Sequence, residues 1–146
     1  MIKNDLGLHT NVKVYKNGEL IQEVKNKVVD TGLNFICNRL KDDLLPPMTH
    51  MAIGTGTTSV EMTDIELETQ VHNRMPLTST TVNDNVIEFS AIFEGTTHAG
   101  SITEAGIFNA ATLGIMLNRV TFGVVTINEP DTLTIVWTLT FANKVE

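Results

Sequence analysis

A chain of 146 residues, 42% hydrophobic and 18% charged, has the composition of one globular domain and not of a disordered segment. Its net charge of −7, with no dense Lys/Arg cluster, excludes the basic face that phosphate binding needs, so nucleic acid is not an expected partner. No apolar run approaches the ~20 residues of a membrane-spanning helix, and the N-terminal MIKNDLGLHT lacks the apolar core of a signal peptide, so a cytosolic site of synthesis and assembly is expected.

The predicted elements begin with a hairpin in TNVKVYKNGELIQEVKN. Asn17-Gly18 accepts positive φ at both central positions of a tight turn, and Val12, Val14 and Leu20 are the candidates for its inward face. In DTGLNFICNRLKDDLLPP, the residues Leu33, Ile36, Cys37, Leu40 and Leu44 recur at helical spacing. One helix of about three turns is expected there, capped by Asp30 or Thr31 and ended by Pro46-Pro47. Cys37, the single cysteine, reads as a small buried apolar residue; alone, it forms no internal disulfide and no cysteine-based zinc site.

HMAIG is a short strand, and GTGTTS a loop with Gly54 and Gly56 as turn glycines. TDIE fits a capping box, Thr63 at the N-cap and Glu66 three residues on, so a short helical turn or an ordered loop runs to about Gln70. From Arg74 the period changes to two. RMPLTSTTV and VIEFSAIF flank an NDN turn; GTTHAG is a loop; SITEAGIFN and IMLNRVTFG flank AATLG. The last strand, TLTIVWTLTFA, alternates Leu133, Ile135, Trp137, Leu139 and Phe141 with a Thr-rich face. About eight strands and one helix, without strand–helix alternation, predict a mainly β fold: an antiparallel β-sandwich with one α-helix packed on it. A single domain over 1–146 is expected, with an N-terminal hairpin and helix at 10–45 and a sandwich core at 48–142.

The residues do not assemble a catalytic, metal or cofactor constellation. His9, His50, His72 and His98 fall in separate segments, although His50 and His98 could meet in space. GTGTT lacks the lysine of a phosphate loop and the third glycine of a dinucleotide fingerprint. Glu61, Asp64, Glu66 and Glu68 suit a solvated helix start better than a calcium loop. Glu88 and Glu104 could approach as paired carboxylates, but one Trp and one Tyr supply few of the aromatic platforms of a sugar-cleaving site. No catalytic, cofactor or metal residue is therefore assigned.

Three blocks carry a resemblance. MAIGTGTTSVEMTDIELETQVHNR, ITEAGIFNAATLGIMLNRVTF and DTLTIVWTLTF are similar in order and spacing to blocks in small structural proteins of tailed bacteriophages and prophages. Members of that group carry "(A/V)xGxGTT…DTxLxxE(L/V)xR", then "ITEAGLFDAxxGGxMxARxxF", then a strand like "LTIxWxxxF". The likeness covers about residues 50 to 142. It places Gly54, Gly56 and Thr57 in the loop, Leu67, Glu68 and Arg74 after it, Glu104, Ala105, Gly106 and Phe108 in one strand, and Arg119 and Phe122 in the next. Asn109, Leu113 and Asn118 depart from the usual Asp, Gly and Ala, which suggests a different turn.

The resemblance implies a virion structural protein of a tail, fibre base or neck, assembled in the host cytoplasm as a symmetric homo-oligomer with other virion proteins. It implies no enzyme, no cofactor, no nucleic acid and no membrane. Neutral Thr-rich strand faces also suit surfaces that meet other subunits. The alternative is a sandwich that binds a host glycan or decorates a capsid through loops 54–62 and 95–100. The residues expected to matter for structure and assembly are Glu104, Arg74, Arg119, Gly54, Gly56 and Trp137, with Glu104 pairing to Arg74 or Arg119 across the sheet.

Overall fold

The computed structural model describes residues 6–143. They form β1 (Leu6–Lys16), β2 (Glu19–Lys25), β3 (Lys27–Val28), α1 (Asp30–Lys41), β4 (His50–Gly54), β5 (Gln70–Pro76), β6 (Ser79–Asn83), β7 (Val86–Glu94), the single turn α2 (Gly95–His98), β8 (Gly100–Phe108), β9 (Met116–Ile127) and β10 (Thr132–Asn143). One five-stranded sheet has the order β2-β1-β10-β7-β6, the other β3-β9-β8-β4-β5. Every pairing is antiparallel. The fold is a β-sandwich with a helix, built from ten strands instead of about eight.

The two additional strands come from abrupt changes of sheet. RMPLTSTTV is not one strand. The amide of Leu77 donates to Thr49 O (2.9 Å), beside β4, and the amide of Thr78 to Ser90 O (2.8 Å) in β7. Successive peptides thus bond to opposite sheets, directly after Pro76, which has no amide hydrogen to continue β5. The chain also changes sheet at Asn26, the one residue between β2 and β3.

The core lies between the sheets. Leu133, Ile135, Trp137 and Leu139 of β10 are all buried, as their alternation predicts, and they meet Val12, Val14, Phe89 and Phe93 of their own sheet and Met51, Ile53, Ile102 and Ile107 of the other. Each such side chain stabilises the fold by about 1.5–3 kcal/mol. β1 pairs with β10 along its whole length, from Leu6↔Asn143 to Lys16↔Leu133. The N-terminal hairpin is therefore a central part of the sandwich.

Several local expectations are corrected. Asn17 and Gly18 do adopt positive φ (52° and 82°) at the hairpin turn. Leu20, however, is 46% exposed: Ile21 is an unpaired bulge between the Val14↔Gln22 and Tyr15↔Leu20 pairs, which puts Leu20 on the outer face. In α1 the buried residues are Gly32 and Phe35, while Cys37 is exposed and Leu40 is 84% exposed. The cause is Gly32, where a Cβ would lie 2.0 Å from Leu117 O. This close approach sets the helix so that, of the predicted row, Ile36 packs against the core while Leu33, Cys37 and Leu40 face outward. Leu44 lies beyond the helix end and is 79% exposed. Neither Asp30 nor Thr31 caps the helix; Val29 holds the N-cap position, and the Thr31 hydroxyl donates to Met116 O (2.9 Å). GTTHAG contains the α2 turn.

Candidate functional site

The segment 55–69 has no helix, so of the two expected forms it takes the ordered loop. Glu61 and Asp64 make a reciprocal turn instead of a capping box: the Asp64 amide donates to Glu61 O (3.1 Å) and the Glu61 amide to Asp64 Oδ2 (3.0 Å). The loop lies over the outer face of the second sheet. There Leu67 packs in a small cluster with Val29, Ala52, Phe108 and Met116.

What holds the loop is Glu104. Its side chain leaves β8 on the face that carries Gly106 and Phe108, and it is completely buried. Oε1 accepts the amides of Gly56 (3.0 Å) and Thr69 (2.7 Å); Oε2 accepts the amide of Glu68 (3.1 Å) and the Nε–H of Arg119 (2.8 Å). A carboxylate offers about four lone-pair sites, and here four donors fill them. Arg119, on β9 and also buried, directs Nη1 to Asp64 Oδ2 (3.1 Å) and Nη2 to Thr58 O (3.1 Å). Glu68 completes the clasp by accepting the amides of Thr57 and Thr58 (both 3.3 Å) and the Thr58 hydroxyl. The Thr103 hydroxyl donates to Gly56 O (2.8 Å).

Gly54 and Gly56 have a different role from the expected turn glycines. Neither has a positive φ, and Gly54 lies inside β4. A Cβ on Gly54 would sit 2.3 Å from Thr69 O and 2.5 Å from Glu104 Oε1, and one on Gly56 would sit 2.6 Å from that same oxygen. They are glycines because the carboxylate and the returning loop occupy the space of a side chain.

Arg74 does not join this cluster. Its guanidinium lies 3.5 Å over the Phe108 ring. Its Nη1 donates to Ala110 O (3.0 Å) and Leu113 O (2.7 Å), and its Nε to Gln70 Oε1 (3.1 Å). Burial lowers its pKa from the ordinary arginine value, with Glu66 acting in the opposite direction. Arg74 therefore anchors the turn between β8 and β9. Trp137 lies in the core and donates from Nε1 to Asn26 Oδ1 (3.2 Å), while Asn26 Nδ2 donates to Arg119 O (3.3 Å). The Trp137 and Glu104 regions are thus joined through Asn26, which also accepts the Thr10 hydroxyl on its carbonyl. Its role was not legible, because an asparagine after a strand reads as a turn residue.

Glu88 and Glu104 lie on different sheets and form no carboxylate pair. His98 meets His72, not His50: their ring centroids are 5.5 Å apart, and the His98 ring also stands against Phe93. At the centre of the cluster Glu104 and Arg119 are buried and the four lone-pair sites of Glu104 are filled, so this pair acts as a structural lock, while Glu68 and in part Asp64 carry the cluster's charge at the surface. Comparison of the chain with family models, with curated proteins and with solved structures found no match.

Proposed function

We propose that the chain is a non-enzymatic structural component of a tailed-bacteriophage virion. It acts as an oligomeric assembly or adaptor protein of the tail, fibre base or neck, assembled in the host cytoplasm with its own copies and other virion proteins, and it uses no cofactor, nucleic acid or membrane. One observation carries the reading. The residues of two separate blocks of the resemblance, Gly54, Gly56 and Glu68 in one and Glu104 and Arg119 in the other, meet at a single buried carboxylate. Motifs that converge on a saturated ion pair specify a rigid shape, which is what a repeated building block needs.

Gold-labelled antibody against the chain, applied to phage particles released by the strain that carries the gene, tests the proposal. Label at one discrete position on the particle is expected. A chain that stays with the soluble fraction and labels no particle overturns it.

A second reading, a module that binds a host glycan or decorates a capsid, is favoured by the tip of the same loop. Thr57, Thr58 and Ser59 are exposed on a base fixed by Glu68 and Glu104. The Thr58 hydroxyl is engaged by Glu68, and the exposed Thr57 and Ser59 hydroxyls on either side of it suit a polar ligand. The other loop expected to take part is less suited, because Gly95 and His98 are buried. A glycan array with the purified chain separates the two readings.

A further inference from the structure

The two sheets have four edges, and three of them are blunted against pairing. β2 carries Glu19, Glu23, Lys25 and the Ile21 bulge. β3 has two residues. β5 contains Arg74, His72 with φ 61° and a terminal Pro76. β6 has none of these devices. Its sequence STTVN holds no charge, proline or glycine, all five residues are exposed, and among the described residues it pairs on one side only, with β7. The other side is a row of unpaired amides and carbonyls, a template for a further strand.

Beside β6 lies an apolar groove of about 520 Å³, between α1 and the β6–β7 hairpin, whose lining includes Phe35, Leu40, Val82, Ile87 and Phe141. Val82 is 70% exposed and Leu40 84%. Among the described residues, the only ionic ones lining it, Arg39 and Asp84, have opposite signs. In a chain of net charge −7 the groove lining is balanced in charge, so two copies can meet on this face without like charges being brought together there, while Glu88, opposite Thr81, does not line the groove.

We propose that β6 pairs antiparallel with β6 of a second copy, about a two-fold axis through Thr81. The proposal rests on the repeated-subunit reading above and assigns it a surface. In this register Thr81 faces its own counterpart, Thr80 faces Val82 of the second copy, and Ser79 faces Asn83. Asp84 falls opposite Thr78, so no like charges oppose. Thr80 and Val82 line the groove, so the same residues of both copies form one cluster on that side. The two five-stranded sheets become one continuous ten-stranded sheet.

Two experiments test the contact. In a Cys37→Ser background, Thr81→Cys is expected to give a disulfide-linked dimer under mild oxidation, because directly opposed Cα atoms of antiparallel strands lie about 4.5–5.5 Å apart, within disulfide reach. Ser79→Cys in the same background is expected to give none, because its counterpart lies roughly 13 Å away along the strand. Thr81→Lys is expected to weaken self-association by about two- to fivefold in sedimentation equilibrium, through like charges placed side by side. Within one chain the new lysine faces Glu88, so the melting temperature of the isolated subunit holds. Wild-type oligomers that are unaffected by Thr81→Lys and show no Thr81→Cys cross-link overturn the β6 contact and leave the repeated-subunit reading standing. A wild-type chain that is monomeric at every concentration overturns both.

Discussion

Glu104 and Arg119 are diagonal neighbours across the β8–β9 ladder: Glu104 stands opposite Thr121, Arg119 opposite Gly106, and their side chains meet at 2.8 Å with both fully or nearly fully buried. Removing one charge leaves the other buried without its partner, at a cost of about 3–5 kcal/mol. Glu104→Gln is expected to keep the far-UV circular dichroism of the fold while losing stability of that order in urea unfolding. Removing both charges is informative as well. A buried pair replaced by apolar residues is often neutral, but here the amides of Gly56, Glu68 and Thr69 would also lose their acceptor. Glu104→Leu with Arg119→Met should therefore remain destabilised; a double variant as stable as the wild type would show that the amides find other partners.

Gly56→Ala places a methyl group against Glu104 Oε1 and the Glu68 Cβ. The carboxylate or the loop must move, at a cost of about 1–3 kcal/mol. The expected signature is local: faster hydrogen exchange and earlier proteolytic cutting within 55–69, with protection of β7 and β10 little changed.

Leu113 holds φ 56° and is 86% exposed, so its side chain incurs the left-handed penalty without packing to offset it. Leu113→Gly is expected to raise stability by about 1 kcal/mol, net of the greater freedom of glycine in the unfolded chain. Thermal unfolding measures it. A lower melting temperature would mean that the Leu113 side chain, and not only its carbonyl bonded to Arg74, holds the turn.

Asp131 joins the β9–β10 turn to the first hairpin. Its carboxyl is held below the ordinary carboxylate value, first by the Asn17 side-chain amide, then by the Asn128 amide and more weakly by Lys16, with burial opposing. A lowered folded value means that the ionised form stabilises the fold above the unfolded pKa of about 3.9, and that this contribution disappears as pH falls through the folded value. Asp131→Asn is expected to be less stable than the wild type near neutral pH, with the gap narrowing below about pH 4. Melts of both proteins across that range check the sign.

The strands were legible where one face is apolar and the other polar, as in β7 and β10, because burial follows the period of the backbone. Glu104 stood out as a lone carboxylate among small residues, and its pairing with Arg119 was one of two expected partners. The helix face was legible only at Ile36, which packs against the core. Apolar spacing marked the leucine row, but packing followed Gly32, whose lack of a side chain leaves no hydrophobic signal. The 55–69 loop was also opaque, since its path is set by a carboxylate 35 to 48 residues further along the chain. The changes of sheet at Asn26 and after Pro76 left no trace in the two-residue period.

The place of β10 between β1 and β7 has a consequence for the order of synthesis. Every strand of the sheet that carries Glu104 has left the ribosome once Ile127 has emerged. The other sheet at that moment is two separate hairpins, β1–β2 and β6–β7, with no strand between them. Both hairpins then expose apolar residues and open backbone until Thr132–Asn143 is delivered, and a stalled or truncated translation product would be caught in that aggregation-prone state.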